Sequence, residues 1–332
     1  VDVADALTRS AYCAPRQIII TPEKQVTQLS TPVARSVPAA IRSVLARDRW
    51  ALAGTVTVVV IGLVAIFADV LTAIEGHDPY TYDATALAPE SGLPAGSFGG
   101  VSGEHWFGVE PLTGRDLFAI VVHGARTSFL IGFAATLVSI GLGVLIGAAA
   151  GYLGGWIDRV ITWSADVFLG FPYLVFMIAI GAVVPVEFPR ALLLIVVIGF
   201  FGWPSTARIV RAQVLTLKER NFVKAARVLG ASPWQVFRTE LLPNLWGPVL
   251  VMATLSVPGK IGLEAALSFL GVGVLPPTPS WGRSISAAID WVRVDPAYLL
   301  FPGLALFAVT WGFNALGDGL RDALDPRSVT RR

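Results

Sequence analysis

A chain of 332 residues that is 54% hydrophobic and 14% charged, with a mean hydropathy of +0.67, falls outside the soluble globular range and inside that of polytopic membrane proteins. A net charge of +2 gives no electrostatic footprint for nucleic acid. The single cysteine, Cys13, excludes an internal disulfide and is expected to be an inert thiol.

In chain order, residues 1–45 scatter Pro, Ser, Thr and charge without a sustained period, which predicts a mostly disordered tail. The opening Val1 points to a trimmed or unusually translated start. A helix needs about 20 apolar residues to cross a bilayer. Six runs qualify: 50–73, 128–152, 160–183, 190–211, 244–271 and 298–317. The first follows Arg42, Arg47 and Arg49; it begins too far along and lacks the small-x-small site of a cleaved signal, so a retained span (46–73 with its flank) is expected. Residues 74–127 are expected to form a Gly-rich, acidic extracytoplasmic loop. Residues 128–317 make a core of five further spans. In that core Gly132, Gly141, Gly143, Gly147 and Gly151 give one helix a small-residue surface suited to close packing. Pro172 predicts a kink in the third run, and Pro204 and Arg208 weaken the fourth. Residues 318–332 are read as a tail.

Lys and Arg number 25. With six spans, 19 of them fall in the N-terminal tail, the 153–159 turn, the 206–240 segment and the C-terminal tail. Five, Arg115, Arg126, Arg190, Arg283 and Arg293, fall on the other side, and Lys260 lies within a span. That bias places both termini and the 206–240 segment in the cytoplasm.

The basic segment 212–243 interrupts the apolar runs. Leu217, Val223, Ala226 and Leu229 recur at roughly helical spacing from Leu215 to Leu229. Gly230 stops this helix, Ser232 and Pro233 start another that carries Trp234, Val236, Phe237, Leu241 and Leu242, and Pro243 turns the chain into the next span. On pattern alone, an amphipathic loop lying on the headgroups fits as well as a docking element.

The segment "NFVKAARVLGASPWQVFRTELL" resembles the EAA loop of the membrane subunits of bacterial ABC importers. Ala225, Ala226, Gly230, Leu242 and Pro243 stand at that motif's spacing, whereas Lys224 replaces its glutamate and Glu240 stands where an apolar residue is usual. The blocks "HWFGVEPLTGRDLFAIVVHGARTS", "AGYLGGWIDR", "LSFLGVGVLPPTPSWG" and "GDGLRDALDPR" resemble, in order, the dipeptide/oligopeptide/nickel permeases, more narrowly their C-type subunit. This resemblance covers roughly residues 45–328 and implies an all-α polytopic protein of six transmembrane helices with the type I ABC importer permease fold, in the bacterial inner membrane. It also implies a homologous second permease, an extracytoplasmic binding protein and a cytoplasmic ATPase. The ATPase would dock on Lys224, Ala225, Ala226, Arg227, Gly230, Ala231, Ser232, Leu242 and Pro243. Short peptides are the expected cargo, with nickel or glutathione as alternatives in the same family.

No Walker A motif is present: Gly259-Lys260 lacks the glycine at Thr254 and the hydroxyl at Ile261, so ATP and its hydrolysis belong to a separate chain and no cofactor is expected here. No cysteine spacing suggests a metal, and His77, His105 and His123 read as surface or packing residues. Asp166, Lys260 and Glu264 lie at membrane depth, where an unpaired charge costs about 2.5–3.5 kcal/mol. Lys260 and Glu264, four apart on one helix, can neutralise each other as an ion pair or line a cargo cavity; Asp166 can meet Arg159 or a partner subunit. The rival reading from another class, an ion-coupled secondary transporter, has these three charges in its favour but neither an account of the helix pair nor an inverted repeat.

Overall fold

The computed structural model describes residues 48–185 and 187–324. The N-terminal tail with Cys13 and the last residues of the C-terminal tail lie outside them. Among the described residues twelve α-helices follow in order: α1 (Arg49–Ile66), α2 (Ala68–Glu75), α3 (Leu117–Leu153), α4 (Gly155–Gly170), α5 (Tyr173–Val183), α6 (Arg190–Phe201), α7 (Trp203–Lys218), α8 (Asn221–Val228), α9 (Pro233–Val236), α10 (Leu242–Phe269), α11 (Trp281–Ala288) and α12 (Pro296–Leu324). Among the described residues no β-strand forms, only the isolated bridges Leu87–Pro94 and Val109–Asp116.

Among the described residues, five continuous or nearly continuous segments are long and apolar enough to cross a membrane: Arg49–Ile66, Leu117–Leu153, Arg190–Lys218, Pro233–Phe269 and Pro296–Leu324. A sixth exists if α4 and α5 are one span, bent by 76° at Phe171–Pro172. Pro172 is thus where the chain turns, as its missing N–H predicts.

α3 is the axis of the bundle and packs against α1, α4, α6, α7 and α10. At 37 residues it is about 55 Å long, well beyond the roughly 30 Å hydrocarbon layer. Its first turns, Leu117 to Thr127, were expected in the connection; they are helical instead, started by Asp116, whose carboxylate accepts the Ala119 N–H at 2.7 Å. Lipid tails are as apolar as leucine, so helices associate here by close contact rather than by burial from water. The small face of α3 supplies that contact. A Cβ on Gly143 would lie 2.3 Å from the Thr206 Cβ, and one on Gly147 2.4 Å from the Ala207 carbonyl oxygen. Gly132 faces Ile261 of α10 in the same way, whereas Gly141 faces open space.

The sixth span runs further than expected: α12 continues to Leu324, taking in the first residues assigned to the tail. The 76–116 connection is pinned to α12 by Glu110, which takes hydrogen bonds from Arg115 Nε at 2.7 Å, Thr113 Oγ1 at 2.7 Å and the Tyr298 hydroxyl. Burial alone would raise the Glu110 carboxyl; Arg115, Tyr298 and Thr113 outweigh it and hold the group below the usual range. His105 stacks on His77 and hydrogen-bonds Asp116 at 2.8 Å, and His123 lies 3.1 Å from Asp69.

Candidate functional site

Between α7 and α10 the chain leaves the bundle and builds a protruding helix pair. Its root is the end of α3. There Lys218 Nζ donates to the Gly151 and Tyr152 carbonyls at 3.1 and 3.0 Å, satisfying acceptors that a helix end leaves open and complementing its negative pole. The Tyr152 hydroxyl donates to the Pro233 carbonyl at 2.6 Å, tying α9 to the same point.

The single helix expected over 215–229 is two. α7 ends at Lys218, Glu219 and Arg220 break the run, and α8 starts at Asn221. Lys224 Nζ lies 3.0 Å from Glu219 across that break, so the cation that replaces the motif's acid has a local partner. That contact holds the Glu219 carboxyl below its ordinary range.

α8 closes through a full Schellman motif. Gly230 takes φ +85, its N–H bonds the Arg227 carbonyl at 3.0 Å, and the Ala231 N–H bonds the Ala226 carbonyl at 3.0 Å. Ser232 then caps α9, accepting the Gln235 N–H at 3.3 Å, with Pro233 in the first turn. Pro243 does not turn the chain. The helix runs on from α9 through a π-helical segment, Phe237–Leu241, and Pro243 sits in the first turn of α10. A proline there withholds the N–H that the Thr239 carbonyl would receive in an α-helix, which suits a wider turn just before it.

Beneath the pair, Val223, Val236, Leu241 and Leu245 are fully packed and fasten it to α3 and α7. Above, Val228 and Leu229 are 87% and 86% exposed, and Trp234 is 68% exposed. An open groove of about 270 Å³ lies beside them, lined by Ala226, Leu229, Gly230, Ala231, Gln235, Thr239 and Glu240. Of the expected docking residues, Ala226, Gly230 and Ala231 line this groove. Lys224, Ala225, Arg227 and Ser232 are exposed around it; Leu242 is half-buried and Pro243 exposed at the start of α10, outside the groove. Leu229 shares the helical spacing of Leu217, Val223 and Ala226 along the sequence, but it stands six residues beyond the buried Val223, about 120° round α8, and faces out. An apolar pair directly before a cap glycine, Val228-Leu229-Gly230, is the signal that marks this ledge.

The charges at membrane depth are arranged differently from expectation. Lys260 and Glu264 form no ion pair. The Glu264 side chain is fully buried and accepts hydrogen bonds from Ser268 at 2.8 Å, Ser280 at 2.9 Å and Ser128 at 2.9 Å. Lys260 Nζ turns instead to the Ile198 carbonyl at 3.3 Å. The α6–α7 break explains that choice: the Gly202 N–H bonds Gly199 and Phe200, leaving Ile198 without its helical donor, and Lys260 supplies one from α10. Asp166 pairs with Arg208 of α7 and not with Arg159. Nearby Asp158 takes a second charged bond from Arg211 at 2.7 Å, so α4 and α7 are joined twice.

An all-α, multi-span bundle with a capped apolar ledge raised beyond the bundle defines a polytopic membrane protein. Residues 143–330 match the family model described as binding-protein-dependent transport system inner membrane component. The dipeptide transport system permease protein DppC of Alkalihalophilus pseudofirmus is 37% identical over 85% of this chain and 88% of its own. The oligopeptide transport system permease protein OppC of Bacillus subtilis is 37% identical over 84% of this chain and 86% of its own. The glutathione transport system permease protein GsiD of Pectobacterium atrosepticum is 34% identical over 85% and 88%. A solved structure of the MetNI methionine ABC transporter aligns with a TM-score of 0.48 at 21% identity, over 62% of this chain and 96% of that one. The chain belongs to the binding-protein-dependent transport system inner membrane component family, as a permease subunit of an ABC importer. It is a multi-pass protein of the bacterial inner membrane, and the ion-coupled carrier reading is set aside.

Proposed function

We propose that this chain forms half of a translocation pore for short peptides and couples it, through the α8–α9 pair, to an ATPase on a separate cytoplasmic chain. A homologous permease supplies the other half, an extracytoplasmic binding protein delivers cargo, and both termini and the pair face the cytoplasm. The observation that carries the reading is the ledge of Val228 and Leu229 beside its groove, two apolar side chains more than four-fifths exposed on a rigidly capped turn. Patches of this kind mark interaction sites. The surrounding Lys224 and Arg227 suit an acidic rim on the partner. The peptide cargo rests on the dipeptide and oligopeptide relatives. Glutathione, itself a short peptide, is the second reading, favoured by the GsiD relative.

The coupling is a matter of differential docking: nucleotide shifts the pore only if the ATPase holds the ledge more tightly in one state than the other. Leu229→Asp and Ala226→Arg are expected to lose the co-purifying ATPase while the membrane bundle stays folded. Full ATPase retention in both variants would overturn the docking assignment. Uptake of labelled dipeptide by the reconstituted complex, compared with glutathione, decides the cargo.

A further inference from the structure

A groove of about 410 Å³ runs between α1 and α3, lined by Val58, Gly62, Ala65 and Ile66 on one side and Arg126, Phe129 and Phe133 on the other. Apart from the Arg126 head its side-chain lining is carbon. A Cβ on Gly62 would meet only Phe129 Cε1, at 3.9 Å, so the wall is open there because the residue is glycine. From Arg49 to Ile66 α1 rises about 26 Å, close to the thickness of the hydrocarbon layer. The groove therefore climbs through apolar depth and ends, at Arg126 and Asp69, at headgroup level on the side of the 76–116 connection.

The rim is built and only partly satisfied. Arg126 donates from Nε to the Ala65 carbonyl at 3.1 Å, from Nη2 to the Ile66 carbonyl at 3.2 Å and to Asp69 Oδ2 at 2.9 Å, and from Nη1 to Asp69 Oδ1 at 3.2 Å. A guanidinium has five N–H donors, so one on Nη1 is unspent. Asp69 takes those two bonds and one contact from His123 Nε2 at 3.1 Å, which leaves acceptor capacity on Oδ2. Both heads meet solvent, with side chains 42% and 72% exposed. A cation and an anion thus stand side by side above a carbon-lined slot.

We propose that this groove binds one phospholipid with a zwitterionic headgroup. Its acyl chain lies along Val58, Gly62, Phe129 and Phe133; its phosphate accepts the free Arg126 donor; its ammonium meets Asp69. The paired rim selects the head: an anionic phosphate without an accompanying ammonium would gain Arg126 but face Asp69 uncompensated.

The test uses the assembled transporter in lipid nanodiscs, exchanged against vesicles of phosphatidylethanolamine or of phosphatidylglycerol, with retained lipid counted by mass spectrometry. One phosphatidylethanolamine per copy of this chain is expected, in preference to phosphatidylglycerol. Gly62→Phe fills the slot without touching the rim and lowers retention on the order of tenfold. Asp69→Asn removes the anion and moves the preference toward phosphatidylglycerol. Arg126→Ala is a poorer variant, since it also strips the α1 carbonyls of their donors. Undiminished retention in Gly62→Phe, equal retention of the two lipids, or a photoreactive side chain at Val58 that labels a protein neighbour rather than lipid would each overturn the proposal.

Discussion

Glu264 is a carboxyl group sealed inside a membrane bundle, and three serine hydroxyls from α3, α10 and the turn before α11 close on it. Without those donors its burial would be prohibitive; with them it is a knot joining three parts of the fold. Glu264→Leu leaves the hydroxyls of Ser128 and Ser280 without their acceptor, at about 1–3 kcal/mol for each. A clear drop in the thermal midpoint of the purified complex is expected, with Glu264→Gln, which keeps an acceptor oxygen, losing less. An unchanged midpoint in the leucine variant would show that the knot contributes nothing. Glu75 offers a second test. Burial raises its carboxyl to about 7, against the hydrogen bond it takes from the Trp106 N–H, and nearby Asp116 raises it further. A carboxyl whose folded pKa lies above its unfolded value binds its proton more tightly in the fold. Its contribution is complete below the unfolded pKa near 4.5 and is lost as pH rises through about 7. The complex is therefore expected to melt lower at about pH 8 than at about pH 5, with part of that difference gone in Glu75→Gln. An identical pH profile in the variant would remove Glu75 as the cause.

Among the elements, the α8–α9 pair shows what sequence can and cannot deliver. Gly230 and the Ser232-Pro233 start were legible because cap chemistry is local: a left-handed residue and an N-cap act on backbone within a few positions. The split at Glu219–Arg220 was not, since Leu215 to Leu229 keeps helical spacing across it and the contacts of Lys218 with the α3 carbonyls, at the end of α7, join residues far apart in sequence. The turn assigned to Pro243 failed because proline is tolerated in a helix's first turn, and the preceding π segment absorbs its missing donor. Gly230→Ala isolates the cap. Its added Cβ would touch nothing within 4 Å, so the whole cost is the left-handed backbone, about 1–2 kcal/mol. Hydrogen exchange of the Leu229 to Ala231 amides should rise roughly tenfold while the α3 amides keep their protection. Uniform protection in both segments would mean that the cap is not what holds the turn.

Taken as a whole molecule, the five or six apolar spans among the described residues and the helix pair between the fourth and fifth runs followed from hydropathy and cap chemistry, because each is written along the chain. What escaped depends on contacts distant in sequence. Lys260 and Glu264 have the right spacing to pair, yet the first is drawn to a carbonyl orphaned 62 positions away and the second to serines up to 136 away. The N-terminal extension of α3 was hidden because His123 and Arg126 break the apolar window, although their side chains are accounted for by Asp69 and the end of α1. The glycine ridge of α3 has a mechanical corollary. Where Gly143, Gly147 and Gly151 bring α7 to near-backbone contact, neither rod can slide or roll on the other without collision. The two must travel as one plank, carrying with it whatever is bolted to its ends. Any bending within this subunit is then expected off the plank, at breaks such as the 76° elbow at Phe171–Pro172, where proline withholds a backbone donor.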